Sequence, residues 1–213
     1  MLQNLTQAAP LPFYEAQTFA PRIPPMARTE TPDVEIDRPC PPFSLPEPLT
    51  GRLWSQDDVR GPRGLLVAFL CNHCPYVKGM IGRFVADARL LQAEGVGVVA
   101  IMPNDIEAYP EDAPDLMKVF ARDHDFSFPY LYDETQAVAR AFGAVCTPDF
   151  FGYDRGLRLK YRGRLDEGRK DPPPPDAPRE LLQAMRTVAA DPTHVPTPQV
   201  PSLGCSLKWR GEA

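Results

Sequence analysis

The chain has 213 residues, of which 43% are hydrophobic and 24% are charged, a composition typical of one globular domain with short extensions. Its 23 basic and 28 acidic residues give a net charge of −5, so the sequence shows no basic surface for nucleic acid or for an anionic membrane. It also has no apolar run near the ~18 residues of a spanning helix, which argues against a membrane protein.

The two ends of the chain are rich in proline, and their composition suggests boundaries. We predict an irregular extension at 1–32, one domain at 33–190 and a tail at 191–213 that carries Cys205. The first residues lack a basic start and a continuous apolar stretch, so we predict no secretory signal and expect a cytoplasmic location. In that reducing compartment, five cysteines are more typical of reactive or metal-bound thiols than of structural disulfides.

Between the ends, the hydrophobic pattern predicts alternating strands and helices. LLVAFL (65–70) is a short buried strand, and apolar residues recur at helical spacing over 75–94. VGVVAIM (96–102) predicts a second buried strand, which is followed by helices over 113–125 and 133–143.

The pattern changes after these helices. Segments 149–154 and 157–163 flank a turn and predict an antiparallel hairpin, and 178–190 predicts a closing helix. Parallel strands with crossover helices, followed by a hairpin and a last helix, predict a three-layer α/β/α domain with a mixed central sheet.

The sequence CNHCP (71–75) lies where the first of these strands ends and the next helix begins. Pro75 suits the first helical position, which makes Cys74 the expected N-cap residue. Free backbone donors and the helix dipole favour the thiolate of Cys74 at that position. The i, i+3 spacing also brings the Cα atoms of Cys71 and Cys74 to about 5 Å, within reach of a disulfide. The motif therefore predicts a redox pair.

A metal site and a pair of inert thiols are the alternatives. A metal site would need further ligands, yet Cys40, Cys146 and Cys205 are each isolated in the sequence, so we predict no metal and no other cofactor. Inert thiols are common in protein cores, but a core position does not explain a helix N-cap with a histidine between the cysteines. Redox chemistry is the favoured interpretation.

Other segments accompany this motif and together carry a family resemblance: CNHCPYVK, NDIEAYPEDAP, FPYLYDETQAVA, CTPDFF and PSLGCSLKW. From about Cys40 to Trp209 the chain resembles the peroxiredoxin-like branch of the thioredoxin superfamily, of the alkyl hydroperoxide reductase and thiol-specific antioxidant type. The resemblance implies a thioredoxin-like fold, in agreement with the element order, and a role in antioxidant defence and cell redox homeostasis.

The chain departs from peroxiredoxins at several positions of that resemblance. Cys74 stands at their peroxidatic cysteine, but Cys71 stands at their catalytic threonine or serine, and Val67 stands at a proline. Their peroxide-orienting arginine is replaced around Thr147 and Pro148. Without the threonine and the arginine, weak peroxidase activity is expected.

A comparison with thioredoxin gives other departures. Ala68 stands at the buried aspartate of the thioredoxin strand, so no carboxylate is expected at that position. Thr147 and Pro148 resemble the loop that holds a cis-proline beside the active site and offers backbone groups to an extended substrate. The alternative is an ordinary trans proline at a strand start.

Three further residues have two interpretations each. His73 either stabilises a neighbouring thiolate or caps the loop toward solvent. Cys146 lies near the redox pair or packs as a small buried thiol. Cys205, in a tail with Trp209, either resolves or shields an oxidised Cys74 or is a free thiol beside an anchoring tryptophan.

These features predict a thiol–disulfide oxidoreductase whose partners are protein or small-molecule disulfides and a thiol reductant. We expect Cys74 to attack and Cys71 to resolve, although disulfide isomerases and bacterial disulfide oxidants also have a histidine before the second cysteine and attack with the first. The alternatives are a thiol peroxidase that uses Cys74 on hydroperoxides, and a redox sensor without enzymatic activity.

Overall fold

The computed structural model of the protein describes residues 28–211. Most of the irregular extension predicted at 1–32 therefore lies outside the described residues. The described chain contains ten strands: β1 Arg28–Glu30, β2 Ser44–Pro46, β3 Leu53–Ser55, β4 Gly64–Phe69, β5 Val96–Met102, β6 Tyr130–Tyr132, β7 Cys146–Thr147, β8 Asp149–Tyr153, β9 Leu159–Tyr161 and β10 Leu203–Ser206. It also contains five α-helices: α1 Gln56–Val59, α2 Pro75–Ala93, α3 Pro114–Asp123, α4 Ala137–Phe142 and α5 Glu180–Ala190. No helix in this range has the length and apolar character that a bilayer crossing requires.

The central sheet has five strands in the order β6-β5-β4-β8-β9. β4 and β5 are parallel, as are β5 and β6, whereas β8 runs antiparallel to both β4 and β9. β4 is buried along its whole length, as expected for a strand covered on both faces. The sheet is mixed, which confirms the prediction.

The two faces of this sheet pack against different helices. Leu66 and Ala68 of β4 lie in one apolar cluster with residues of α2, α3 and α5, including Phe84. Val67, which points to the opposite face, lies in a second cluster with Phe142 of α4. Because successive strand residues alternate between faces, one apolar strand supplies both layers, and the predicted three-layer α/β/α architecture is confirmed.

The region after β5 differs from the prediction. Two consecutive helices were predicted there, but β6 lies between α3 and α4 and extends the parallel part of the sheet. The second of these helices is also shorter than predicted, because Asp133 stands in a turn before it. The Asp133 carbonyl accepts from the amide of Gln136, and its carboxylate accepts from the amide of Ala139.

A second sheet is built from segments at the two ends of the described chain. β10 pairs antiparallel with β1 on one side and with β7 on the other. Residues within the predicted extension and the predicted tail therefore contribute strands to the fold. The domain boundaries at 33 and 190 stay a prediction, but the chain beyond them folds back onto the domain.

Candidate active site

Cys74 is the N-cap residue of α2, and Pro75 is the first residue of that helix, as the sequence predicted. The backbone of Cys74 is extended, with φ −62° and ψ 124°. Its side chain makes no capping hydrogen bond to the helix. The positive end of the helix dipole therefore faces Cys74, and two close contacts of its sulfur come from residues far away in the chain.

The loop that precedes β8 contacts both cysteines of the pair. The Cys74 Sγ atom lies 3.2 Å from the carbonyl oxygen of Thr147, and the Cys71 Sγ atom lies 3.2 Å from the Thr147 hydroxyl. The peptide bond between Thr147 and Pro148 is cis, which confirms that prediction. One threonine thus contacts both sulfurs of the pair, and both cysteines are fully buried.

A second contact of the Cys74 sulfur comes from β10. The Sγ atoms of Cys74 and Cys205 lie 3.1 Å apart, although the two residues are separated by 131 positions. Cys205 stands opposite Thr147 in the β10–β7 pairing, which fixes its place beside the pair. Among the described residues all five cysteines are free thiols.

The remaining two cysteines make different contacts. The thiol of Cys146 donates to the carbonyl oxygen of Pro148 at 3.4 Å. Cys40 lies in the apolar cluster on the other face of the sheet, and its thiol donates to the carbonyl oxygen of Pro41 at 3.6 Å. The hydrogen bond of Cys146 is therefore made within the cis-proline loop and not to the redox pair.

The three neighbouring thiols differ in acidity. Hydrogen bonds from Cys205 and Cys71 lower the pKa of the Cys74 thiol, and they outweigh burial, which raises it. Burial raises the pKa of Cys71, and the negative charge of Asp112 adds to this effect. The pKa of Cys205 is raised by its hydrogen bond to Cys74 and by burial. Cys74 is thus the thiol of the three that ionises most readily.

His73 binds a carboxylate to which the sequence assigned no role. Its Nδ1 atom lies 2.8 Å from Oδ2 of Asp112, and its ring stacks on Tyr109 with centroids 5.3 Å apart. No hydrogen bond from this imidazole to a cysteine sulfur occurs among residues 28–211. The imidazole therefore contacts the Asp112 carboxylate, and its effect on the thiols stays a prediction.

Asp112 holds the CNHCP loop in place. Its Oδ1 atom accepts from the backbone amides of Asn72 and His73 at 2.8 and 3.3 Å, and its Oδ2 atom accepts from the side chain of Asn104 at 2.8 Å. The side chain of Asn72 in turn accepts from the Tyr130 hydroxyl at 3.1 Å. Asp112 is fully buried, so these bonds satisfy its charge. In the sequence, this residue stands out only as part of the segment NDIEAYPEDAP.

The same residues form a set of donors that could hold a cation. The side-chain donor atoms of Cys71, His73 and Asp112 lie within 4.8 Å of one another. A structural zinc site uses four ligands that are free to face the ion. Here His73 Nδ1 and both oxygens of Asp112 are already engaged in hydrogen bonds, so the geometry fits a hydrogen-bonded support for the loop.

The order of acidity predicts the titration of the reduced protein. Because its partners lower the pKa of Cys74 below the ordinary value of 9.0, one thiolate should remain as the pH falls through and below that value. Ultraviolet absorbance of the thiolate, measured against pH, should show this group in the native protein and lose it in Cys74→Ser. The variant Cys40→Ala is the matched control, because burial raises the pKa of Cys40 to about 12. Titration of every thiol at or above pH 9 would contradict the assignment.

Comparisons with known proteins agree with this fold. The model of the AhpC/TSA family matches residues 36–162. No curated protein matches the chain. The matched residues include the CNHCP motif, Asp112 and the Thr147–Pro148 loop.

Solved structures provide three further matches. An uncharacterized conserved protein from Geobacillus kaustophilus is 40% identical, with a TM-score of 0.82 over 88% of this chain and 99% of that chain. A hypothetical protein from Sinorhizobium meliloti 1021 is 36% identical, with a TM-score of 0.80 over 86% of this chain and 99% of that chain. A thiol:disulfide interchange protein of the thioredoxin family from Chlorobium tepidum TLS is 16% identical, with a TM-score of 0.55 over 74% of this chain and 99% of that chain. The last match shows a shared thioredoxin-like fold.

Proposed function

The chain belongs to the AhpC/TSA family, and from this membership we propose that it is a thiol–disulfide oxidoreductase that cycles Cys71 and Cys74 between a dithiol and a disulfide. The observation that supports this most is the surroundings of the Cys74 sulfur. The Cys74 sulfur accepts hydrogen bonds from neighbouring thiols and lies 3.2 Å from the carbonyl oxygen of Thr147, which precedes the cis-proline. An acidic thiol with a second thiol behind it is the arrangement that disulfide exchange requires.

In the first step, the Cys74 thiolate attacks one sulfur of a substrate disulfide. A bond forms between Cys74 and that sulfur, the substrate S–S bond breaks, and the other sulfur leaves as a thiolate that takes up a proton. Exchange favours an attacking thiol that is ionised at ambient pH. The lowered pKa of Cys74 supports its assignment as the attacking residue.

In the second step, Cys71 resolves the mixed disulfide. Its thiol loses a proton, its sulfur attacks Cys74, and the substrate sulfur leaves as a thiol, so the protein ends with a Cys71–Cys74 disulfide and the substrate has gained two electrons. Asp112 is suited to receive the proton, since its carboxylate lies within 4.8 Å of the Cys71 sulfur. A thiol reductant then restores the dithiol.

The alternative function, a thiol peroxidase, draws support from the same acidic Cys74 and from the family. Against it, the contacts of the Cys74 sulfur within residues 28–211 come from thiols and backbone groups, and none comes from an arginine. A peroxide bound there would lack the oriented donors that stabilise the breaking O–O bond. We therefore expect reaction with hydroperoxides to be the slower of the two.

One experiment tests the proposal and its alternative together. The reduced protein is mixed rapidly with oxidised glutathione or with hydrogen peroxide, and the products are mapped by mass spectrometry. We expect fast reaction with the disulfide, a Cys71–Cys74 bond in the product, and reaction with peroxide at least ~100-fold slower than that of an authentic peroxiredoxin. Cys71 and Cys74 left unlinked by the disulfide, with Cys74 still a free thiol, would refute the proposal, and a peroxide rate equal to that of a peroxiredoxin would favour the peroxidase.

A further inference from the structure

The edge of the cis-proline loop is covered by a segment of the same chain. β10 runs antiparallel to β7, with Cys205 opposite Thr147 and Ser206 opposite Cys146. An extended substrate that used the backbone of this loop would have to occupy the same place, because main-chain pairing at a sheet edge serves one strand at a time.

The contact between the tail and the loop is close. Gly204 lies against the carbonyl group of Thr147, and a Cβ atom added at Gly204 would overlap that oxygen. Glycine therefore permits the approach that brings Cys205 to the active site. On its other side β10 pairs with β1, where Arg28 stands opposite Cys205.

The residues after β10 are anchored to the domain. The amide of Leu207 donates to the carbonyl oxygen of Val145 at 3.0 Å, and the amide of Lys208 donates to the side chain of Asn104 at 3.0 Å. The side chain of Gln136 donates to the carbonyl oxygen of Lys208 at 2.7 Å. With these bonds on one side and strand pairing on the other, the tail holds Cys205 in one position.

The Cys205 sulfur lies beside the Cys74 sulfur, where the sulfur of a substrate disulfide would have to bind. Cys205 and Cys74 are both buried, and their Sγ atoms are 3.1 Å apart. An S–S bond measures about 2.05 Å, so a small shift of two side chains would close it.

From this geometry we propose that Cys205 is a third redox-active thiol, which the tail presents to Cys74 in the position of a substrate sulfur. The inference rests on the proposed function only in needing Cys74 to be the reactive thiol. Starting from the Cys71–Cys74 disulfide, the Cys205 thiol loses its proton and attacks the sulfur of Cys74. The Cys74–Cys205 bond forms, the Cys71–Cys74 bond breaks, and the electron pair leaves on the Cys71 sulfur, which takes the proton. No electrons are gained or lost, so this exchange needs no outside oxidant.

The same arrangement governs access to Cys74. A substrate disulfide reaches the buried sulfur only when β10 leaves the edge of the loop. The tail therefore competes with outside substrates, both for backbone pairing and for the bond to Cys74.

The test removes the resolving residue Cys71. Cys74 can then form a disulfide either with Cys205 or with glutathione. Reduced Cys71→Ser is oxidised with about 1 mM oxidised glutathione, and the products are mapped by mass spectrometry. A tethered thiol has an effective concentration in the millimolar range or above, so we expect at least ~10-fold more Cys74–Cys205 disulfide than Cys74–glutathione adduct. A lasting glutathione adduct on Cys74, with Cys205 free, would overturn the inference but leave the proposed function intact. Failure of Cys74 to react both here and in the native protein would overturn both.

A second pair of variants tests the role of the tail without removing any cysteine. Gly204→Ala introduces the overlap with Thr147, whereas Gly82→Ala, on α2, adds a Cβ atom with no neighbour within 4 Å. In the Cys71→Ser background, we expect Gly204→Ala to raise the share of glutathione adduct several-fold and to speed its formation, and Gly82→Ala to change neither. Equal product ratios in the two variants, with both proteins folded by circular dichroism, would overturn the role of the tail strand.

Discussion

Cys74→Ser is expected to lower the rate of disulfide exchange by roughly 1000-fold or more, the largest loss that any single substitution at the site should cause. The thiolate is the nucleophile in exchange, and a serine hydroxyl does not ionise near neutral pH. The hydrogen bonds that lower the pKa of the Cys74 thiol would then have no sulfur on which to act. The measurement is the initial rate of reduction of a small disulfide under a fixed concentration of thiol reductant.

Cys71→Ser separates the two steps of the reaction. This variant should keep the fast first attack, because Cys74 is unchanged, and should lose release of the product through a Cys71–Cys74 bond. Cys40→Ala is the control for loss of a buried thiol, since Cys40 lies in the cluster on the other face of the sheet. If Cys71→Ser loses the first attack and Cys74→Ser retains it, the nucleophile is Cys71.

Asp112→Ala is expected to lower the free energy of unfolding by about 3–5 kcal/mol. Asp112 is fully buried and accepts bonds from two backbone amides and from the side chain of Asn104, and alanine would leave these donors without an acceptor. Urea unfolding of the two proteins measures the difference. Glu111→Ala, at the exposed neighbouring position, should change stability by less than about 0.5 kcal/mol. Equal midpoints for Asp112→Ala and Glu111→Ala would contradict this account of the buried carboxylate.

Asp112→Asn distinguishes the charge of this residue from its structural role. The carboxylate charge is one of the causes that raise the pKa of Cys71, so removing the charge should lower that pKa. Thiolate absorbance of Cys71 would then appear at a lower pH than in the native protein. An unchanged titration of Cys71 would show that Asp112 acts only by holding the loop.

The central part of the fold could be predicted because its elements are long and strongly patterned. β4 and β5 lie in continuous apolar runs of at least six residues, and α2 repeats apolar residues at helical spacing over 19 residues. β6 was not predicted, since it has only three residues, all buried, and too short a run shows no period. β1 and β10 were missed for another reason. Each is three or four residues long and depends on a partner at the far end of the chain.

The candidate site divides in the same way. Cys71, Cys74 and Pro75 are neighbours in sequence, so helix-capping rules place them, and the cis-proline followed from the family resemblance. The two residues that complete the site lie far away in the sequence. Asp112, which accepts a hydrogen bond from the backbone amide of Asn72, is 40 positions from that residue. Cys205 is 131 positions from Cys74. No local rule connects such pairs, and spacing alone did not assign a role to Asp112.

The position of β10 in the chain also sets the order in which the site can be assembled during synthesis. A ribosome makes residues 203–206 after the central sheet and all five helices, and domains begin to fold while the chain is still being made. Cys71 and Cys74 can therefore be brought together by β4 and α2 before Cys205 exists. A nascent chain that ends before β10 therefore lacks the strand that pairs with β7 beside the dithiol.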